Sequence, residues 1–114
     1  MTTIWHNPKC AKSREAVALF TEKNQEVEII KYLETTPTRA EIVTLLGKLG
    51  ISARALMRTK EDIYKELGLV KVEDENLLID ALVQHPKLIE RPILIRGNQA
   101  IVGRPIEKVI DFLA

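Results

Sequence analysis

An α/β fold on a four-stranded mixed sheet is predicted by three observations. The chain opens with strand, helix and strand in that order, it closes with two strands and a helix, and the stretch between reads as helical. The first strand, Thr2 to Trp5, is short, β-branched and aromatic, and it stops where Asn7-Pro8 favours a turn. From Lys12 to Asn24 the apolar residues Ala16, Val17, Leu19 and Phe20 follow a helical spacing, with Asn24 as a stop. Val27 to Tyr32 is again β-rich. Short joints between these elements imply a right-handed crossover and a parallel pair of strands.

In the centre, Thr38 with Glu41 three positions on is a capping box, and it starts a helix whose buried stripe is Ile42, Leu45, Leu46 and Leu49. Gly50 ends it. Ser52 to Arg58, Thr59 to Leu67 and Glu73 to Gln84 read as further helices, the last closed by His85-Pro86. Ile93 to Ile95 and Ala100 to Val102 are strands joined by Arg96-Gly97-Asn98-Gln99, where glycine at the first central turn position suits a primed hairpin. Pro105 fits a first helical turn, and Ile106, Val109, Ile110 and Leu113 mark a terminal amphipathic helix. This order is the thioredoxin-like arrangement. We read residues 1–114 as a single domain in which a helical insert, about residues 37–90, replaces one crossover helix and forms a cap beside the sheet.

Composition narrows the function. Of 114 residues, 46% are hydrophobic and 29% charged, the balance of a globular domain that can fold without disulfides or a metal. Lys plus Arg is 17 against Asp plus Glu 16, which is too even a balance to attract nucleic acid or an anionic membrane, so any anion site must be local. The longest apolar run, Ala16 to Phe20, is far short of the roughly 20 residues of a membrane span. Met1-Thr2-Thr3-Ile4 is not a signal peptide, and a cytoplasmic location and a monomeric state are expected. The one cysteine, Cys10, precludes an internal disulfide, and no metal site is expected from His6, His85 and scattered carboxylates.

Chemistry concentrates in His6-Asn7-Pro8-Lys9-Cys10-Ala11-Lys12-Ser13-Arg14. A thiol at the entrance to a helix faces unpaired backbone N–H groups that favour its anion, and Lys9, Lys12 and Arg14 add to that field. A buried, inert cysteine would have apolar neighbours instead. Ser13 stands where a C-x-x-C motif would hold its second thiol, and a hydroxyl can donate to a thiolate but cannot resolve it. His6 could lower the thiol pKa as a cation, or serve as a hydrogen-bonded structural residue. His85 reads as structural at a helix end, and Trp5 and Tyr32 as packing.

The run His6-Asn7-Pro8-x-Cys10-x-x-Ser13-Arg14 resembles the active-site signature of the glutaredoxin-coupled arsenate reductase (ArsC) family. The resemblance continues through Tyr32-Leu33-Glu34, Ile51 to Arg58, Gln84-His85-Pro86, Arg91-Pro92-Ile93 and Gly103-Arg104-Pro105. It implies reduction of arsenate to arsenite with Cys10 as the catalytic nucleophile, Arg58, Arg91 and Arg104 binding the oxyanion, and His6 and Ser13 tuning the thiol. It further implies no bound cofactor, with glutathione as co-substrate and a glutaredoxin as electron donor, and a cis bond at Arg91-Pro92. Guanidinium forks suit a tetrahedral dianion because they pair with two oxygens and stay ionised. Arg91 and Arg104 each precede a proline at an element boundary, a rigid joint for a positioned charge, whereas Arg54 reads as a surface charge or a structural ion pair. Two alternatives stand beside this: a non-catalytic regulator of the Spx type that binds RNA polymerase, and a reductase of another oxyanion or thiol adduct. Ser13 argues against C-x-x-C sensing of the Spx type. Ala16, six residues after Cys10, excludes the C-x5-R phosphate loop of the other arsenate reductase lineage.

Overall fold

The computed structural model describes all 114 residues, Met1–Ala114. In chain order the elements are β1 (Thr2–Trp5), α1 (Ala11–Glu22), β2 (Val27–Ile30), α2 (Arg39–Leu49), α3 (Ala53–Leu56), α4 (Asp62–Glu66), α5 (Glu75–Gln84), β3 (Ile93–Arg96), β4 (Gln99–Val102) and α6 (Ile106–Leu113). Short 3-10 turns cover Leu69–Lys71 and Pro86–Leu88. Backbone contacts divide the chain into two compact units, one of Met1–Thr35 with Arg91–Ala114 and one of Thr36–Glu90. No helix is long and apolar enough to cross a membrane.

The first unit carries the sheet, in the order β2-β1-β3-β4. β1 and β2 run parallel, and β3 is antiparallel to both β1 and β4, as the strand order predicts. Side chains alternate across a strand, so Ile4 and Leu94, which face each other in register, lie on one face of the sheet. They meet Ala16 and Phe20 of α1 and Val109 and Leu113 of α6, and these six form the core of this unit. In α1 the buried residues Ser13, Ala16 and Phe20 recur every three or four positions, which places a polar residue, Ser13, at the end of an otherwise apolar stripe. α1 ends as expected near Asn24, which takes the left-handed conformation (φ 55°) that asparagine tolerates. In the β3–β4 hairpin Gly97 has φ 60° while Asn98 does not enter that region, the pattern of a type II′ turn. Arg96 closes the hairpin onto α6, its Nη2 donating to the Phe112 carbonyl at 2.7 Å and its guanidinium lying 4.5 Å from the Phe112 ring centroid.

The second unit is helical, with one addition. Its first helix, α2, has the capping box in full: Glu41 N–H donates to Thr38 Oγ1 (3.2 Å) and Thr38 N–H to Glu41 Oε1 (3.0 Å). Gly50 closes the helix with φ 67°. Ile42, Leu45 and Leu46 are buried, as are Leu78, Ile79, Ala81 and Leu82 of α5, which packs against α2. Arg39 bridges the two helices, pairing with Asp80 and donating to Asn76 Oδ1. Ser52–Arg58 was expected to be one helix, yet α3 stops at Leu56. Met57 turns extended and forms an antiparallel bridge with Ile89, with Arg58 N–H donating to Leu88 O and Glu90 N–H to Leu56 O. These bonds take backbone groups that a longer helix would have used. Thr59–Leu67 likewise shortens to α4, which ends before Gly68 in a left-handed turn (φ 62°). Pro105, expected inside the first turn of α6, is instead its N-cap, with ψ 176°.

Candidate active site

Cys10 is the N-cap of α1, its backbone extended at φ −96° and ψ 123°. The first N–H groups of a helix have no partner within it, and here those of Ser13 and Lys12 face the sulfur. The sulfur makes no side-chain capping hydrogen bond of the kind a serine or aspartate oxygen makes, but the dipoles of those N–H groups favour its anion. Burial of Cys10 works against its anion. The N–H of Ser13, the hydrogen bond and charge of the Arg91 guanidinium and the N–H of Lys12 outweigh that cost, so the thiol titrates below the ordinary cysteine range.

Behind the sulfur sits a buried polar pair. Ser13 is fully buried; its Oγ lies 2.6 Å from Nδ1 of His6 and accepts the Asn7 N–H at 3.0 Å. The Ser13 hydroxyl is therefore committed to His6 and Asn7, and Ser13 reaches the thiol through its backbone. Burial, then Lys31 and Arg14, hold the His6 imidazolium below its ordinary pKa, so the ring is uncharged at neutral pH. Of the two roles the sequence allowed His6, this geometry favours the hydrogen-bonded one over the cationic one.

Arg91 lies two residues before β3, after which Arg91-Pro92 is cis, as the sequence resemblance implied; Arg104-Pro105, for which no expectation was formed, is cis as well. The Arg91 guanidinium lies beside Cys10 and favours its thiolate, and its Nε and Nη1 are buried without a hydrogen-bond partner. An unpaired buried donor costs about 1–3 kcal/mol, and more when charged, so two on one guanidinium beside a thiolate suit an anionic acceptor. Arg104 follows β4 and its Nη1 approaches the Arg91 carbonyl at 3.5 Å. Gly103 binds the same loop, donating to Pro92 O at 2.8 Å. Cys10, His6, Ser13, Arg91 and Arg104 thus all belong to the first unit.

Arg58 belongs to the second unit, where its guanidinium pairs with Glu61 at 2.9 Å and Glu90 at 3.5 Å. Arg54, expected as a surface charge or a structural ion pair, instead bonds neutral oxygens, donating to the Tyr64 hydroxyl at 2.6 Å, to Leu69 O at 3.0 Å and to Val72 O. His85 caps α5, and Trp5 and Tyr32 are buried. Sequence reasoning gave Asn7 only a turn preference and quoted Gly103 inside a motif without a role. The signals were present, since an asparagine before a proline favours a side-chain-to-backbone turn and a glycine leaving a strand allows a close approach.

A mixed sheet in the order β2-β1-β3-β4, with a thiol at the N-terminus of the helix that follows its first strand, defines a thioredoxin-like α/β chain. Residues 5–112 match the model of the ArsC family. An arsenate reductase of Neisseria meningitidis serogroup A is 46% identical over 108 residues, 93% of this chain and 92% of that protein. The uncharacterized Escherichia coli K12 protein YfgD is 48% identical over 112 residues, 96% of this chain and 94% of that protein. The solved structure of an arsenate reductase from Vibrio cholerae superposes with a TM-score of 0.92 at 46% identity, over 96% of this chain and 95% of that one. The chain belongs to the ArsC family.

Proposed function

We propose that this chain reduces arsenate to arsenite, with Cys10 as nucleophile and with glutathione and a glutaredoxin as electron donors. The observation that carries the reading is Arg91, whose guanidinium favours the Cys10 thiolate while holding two buried donors without partners. A tetrahedral oxyanion supplies acceptor oxygens and an electrophilic centre to that one place. The arsenate reductases of Neisseria meningitidis and Vibrio cholerae, at 46% identity each, support arsenate as the oxyanion.

In this scheme the Cys10 thiolate attacks arsenic and an arsenic-bound oxygen leaves as water. Glutathione replaces a second oxygen, which also leaves as water. The glutaredoxin thiol then attacks the glutathione sulfur, a disulfide forms between those two, and the As–S electron pair stays on arsenic, taking it from the +5 to the +3 state. Water at arsenic finally frees arsenite from Cys10. Two external thiols are needed because the chain has one cysteine. Arg91 and Arg104 carry the negative charge of the oxyanion. The resemblance gives Arg58 the same task, and Arg58→Ala tests it separately.

The test is NADPH oxidation coupled through glutathione reductase, glutathione and glutaredoxin. Arsenate-dependent oxidation with the wild type and its loss in Cys10→Ser is the expected result. Oxidation indifferent to arsenate, or surviving in Cys10→Ser, overturns the reading.

A further inference from the structure

We infer that Asn7 is a positioning residue for the reactive sulfur: it folds the loop that sets Cys10 against the first turn of α1. The inference rests on Cys10 being the reactive group, as proposed above. Asn7 makes three hydrogen bonds to three different parts of the loop. Its carbonyl accepts the Cys10 N–H at 3.0 Å, its Oδ1 accepts the Lys9 N–H at 3.0 Å, and its N–H donates to Ser13 Oγ at 3.0 Å.

The first two bonds close residues 7–10 into a turn, with the exposed Pro8 inside it fixing one backbone angle. The third anchors the start of that turn to Ser13, the third residue of α1, whose backbone N–H faces the sulfur and whose hydroxyl is also held by His6. One residue therefore ties together the backbone that carries the sulfur and the helix end that stabilises its charge. The side chain is needed only at Oδ1. A bond from an asparagine oxygen to the N–H two residues on is short-range, so an acceptor one carbon farther out cannot close it. Aspartate would close it but would set a second negative charge near the thiolate, and asparagine is neutral.

The probe is iodoacetamide alkylation of Cys10 against pH in the full chain, with thermal unfolding as a control for fold. For Asn7→Ala the inflection is expected to rise by about half a unit to one unit, which lowers the thiolate fraction by roughly three- to tenfold at pH values well below both inflections. Asn7→Ser, whose Oγ can still accept the Lys9 N–H, restores the wild-type profile. Asn7→Gln keeps the amide but not its reach; it shifts like Asn7→Ala and serves if that variant fails to fold. A folded Asn7→Ala or Asn7→Gln with an unshifted inflection overturns the inference, as does an Asn7→Ser profile no better than theirs. If instead the wild-type inflection sits at the ordinary thiol value and Cys10→Ser keeps its activity, the reading of Cys10 fails first and this inference with it.

Discussion

Gly103 gives a prediction whose size follows from the packing around it. A Cβ built on Gly103 would stand 2.9 Å from Val109 Cγ2, 3.0 Å from Leu94 Cδ1 and 3.1 Å from Pro92 Cγ. Ordinary carbon contacts lie near 3.5–4.0 Å, so three neighbours must retreat together. None can do so freely. Val109 and Leu94 are fully buried members of the core, and Pro92 is a ring fixed between Arg91 and β3. Forcing a methyl into such a site costs about 1–3 kcal/mol, and the lower chain entropy of unfolded alanine returns about 0.4–1 kcal/mol. Gly103→Ala should therefore be destabilised by about 1–2 kcal/mol, seen as a urea midpoint lower by roughly 0.5–1 M at ordinary slopes. The push on Pro92 is also transmitted to Arg91, so the alkylation inflection of Cys10 should rise in the same variant. A midpoint equal to or above that of the wild type would refute the packing argument, and a lower midpoint with an unmoved Cys10 inflection would refute the link to Arg91.

Alkylation of wild-type Cys10 should inflect below the ordinary cysteine value of about 8.5, with the rate falling only as pH drops through that depressed value. Arg91→Lys should lower arsenate kcat/KM by roughly ten- to a hundredfold, because an ammonium cannot replace a two-pronged contact; steady-state kinetics beside Arg91→Ala would show whether charge alone suffices. His6 has a depressed pKa when folded, so its contribution to stability is full above about pH 6.5 and is lost as pH falls through the folded value; urea midpoints between pH 7 and 4.5 should show this acid limb, flattened in His6→Asn. Thr38→Ala should cost about 1 kcal/mol by removing the capping box of α2, measurable as a lower unfolding midpoint.

What could be read ahead of the structure was local. The capping box at Thr38 and Glu41, the stop at Gly50, the glycine of the hairpin turn and the parallel β1–β2 pair each rest on residues close together in sequence, where propensity and spacing act directly. The Met57–Ile89 bridge joins distant positions and overrode a helical preference that runs through Arg58. The candidate site divides the same way. A thiol at a helix entrance follows from the order of residues, but the two partnerless donors of Arg91 and the uncharged state of His6 depend on burial, which only the folded chain creates. Asn7 beyond its turn preference, and Gly103, went unassigned because their importance lies in what the backbone beside them touches.

The position of the sulfur at the start of α1 has one more consequence. In the proposed cycle Cys10 must not only attack arsenic but also depart from it, and a thiol of low pKa is the better leaving group. While the sulfur carries arsenic it holds no negative charge for the N–H groups of Ser13 and Lys12 to stabilise, and that attraction is lost. Expulsion of Cys10 restores the anion and its attraction to the helix end together. In that proposed cycle the helix end thus favours the free thiolate over the adduct, which would assist the last step in a chain that has no second cysteine to do it.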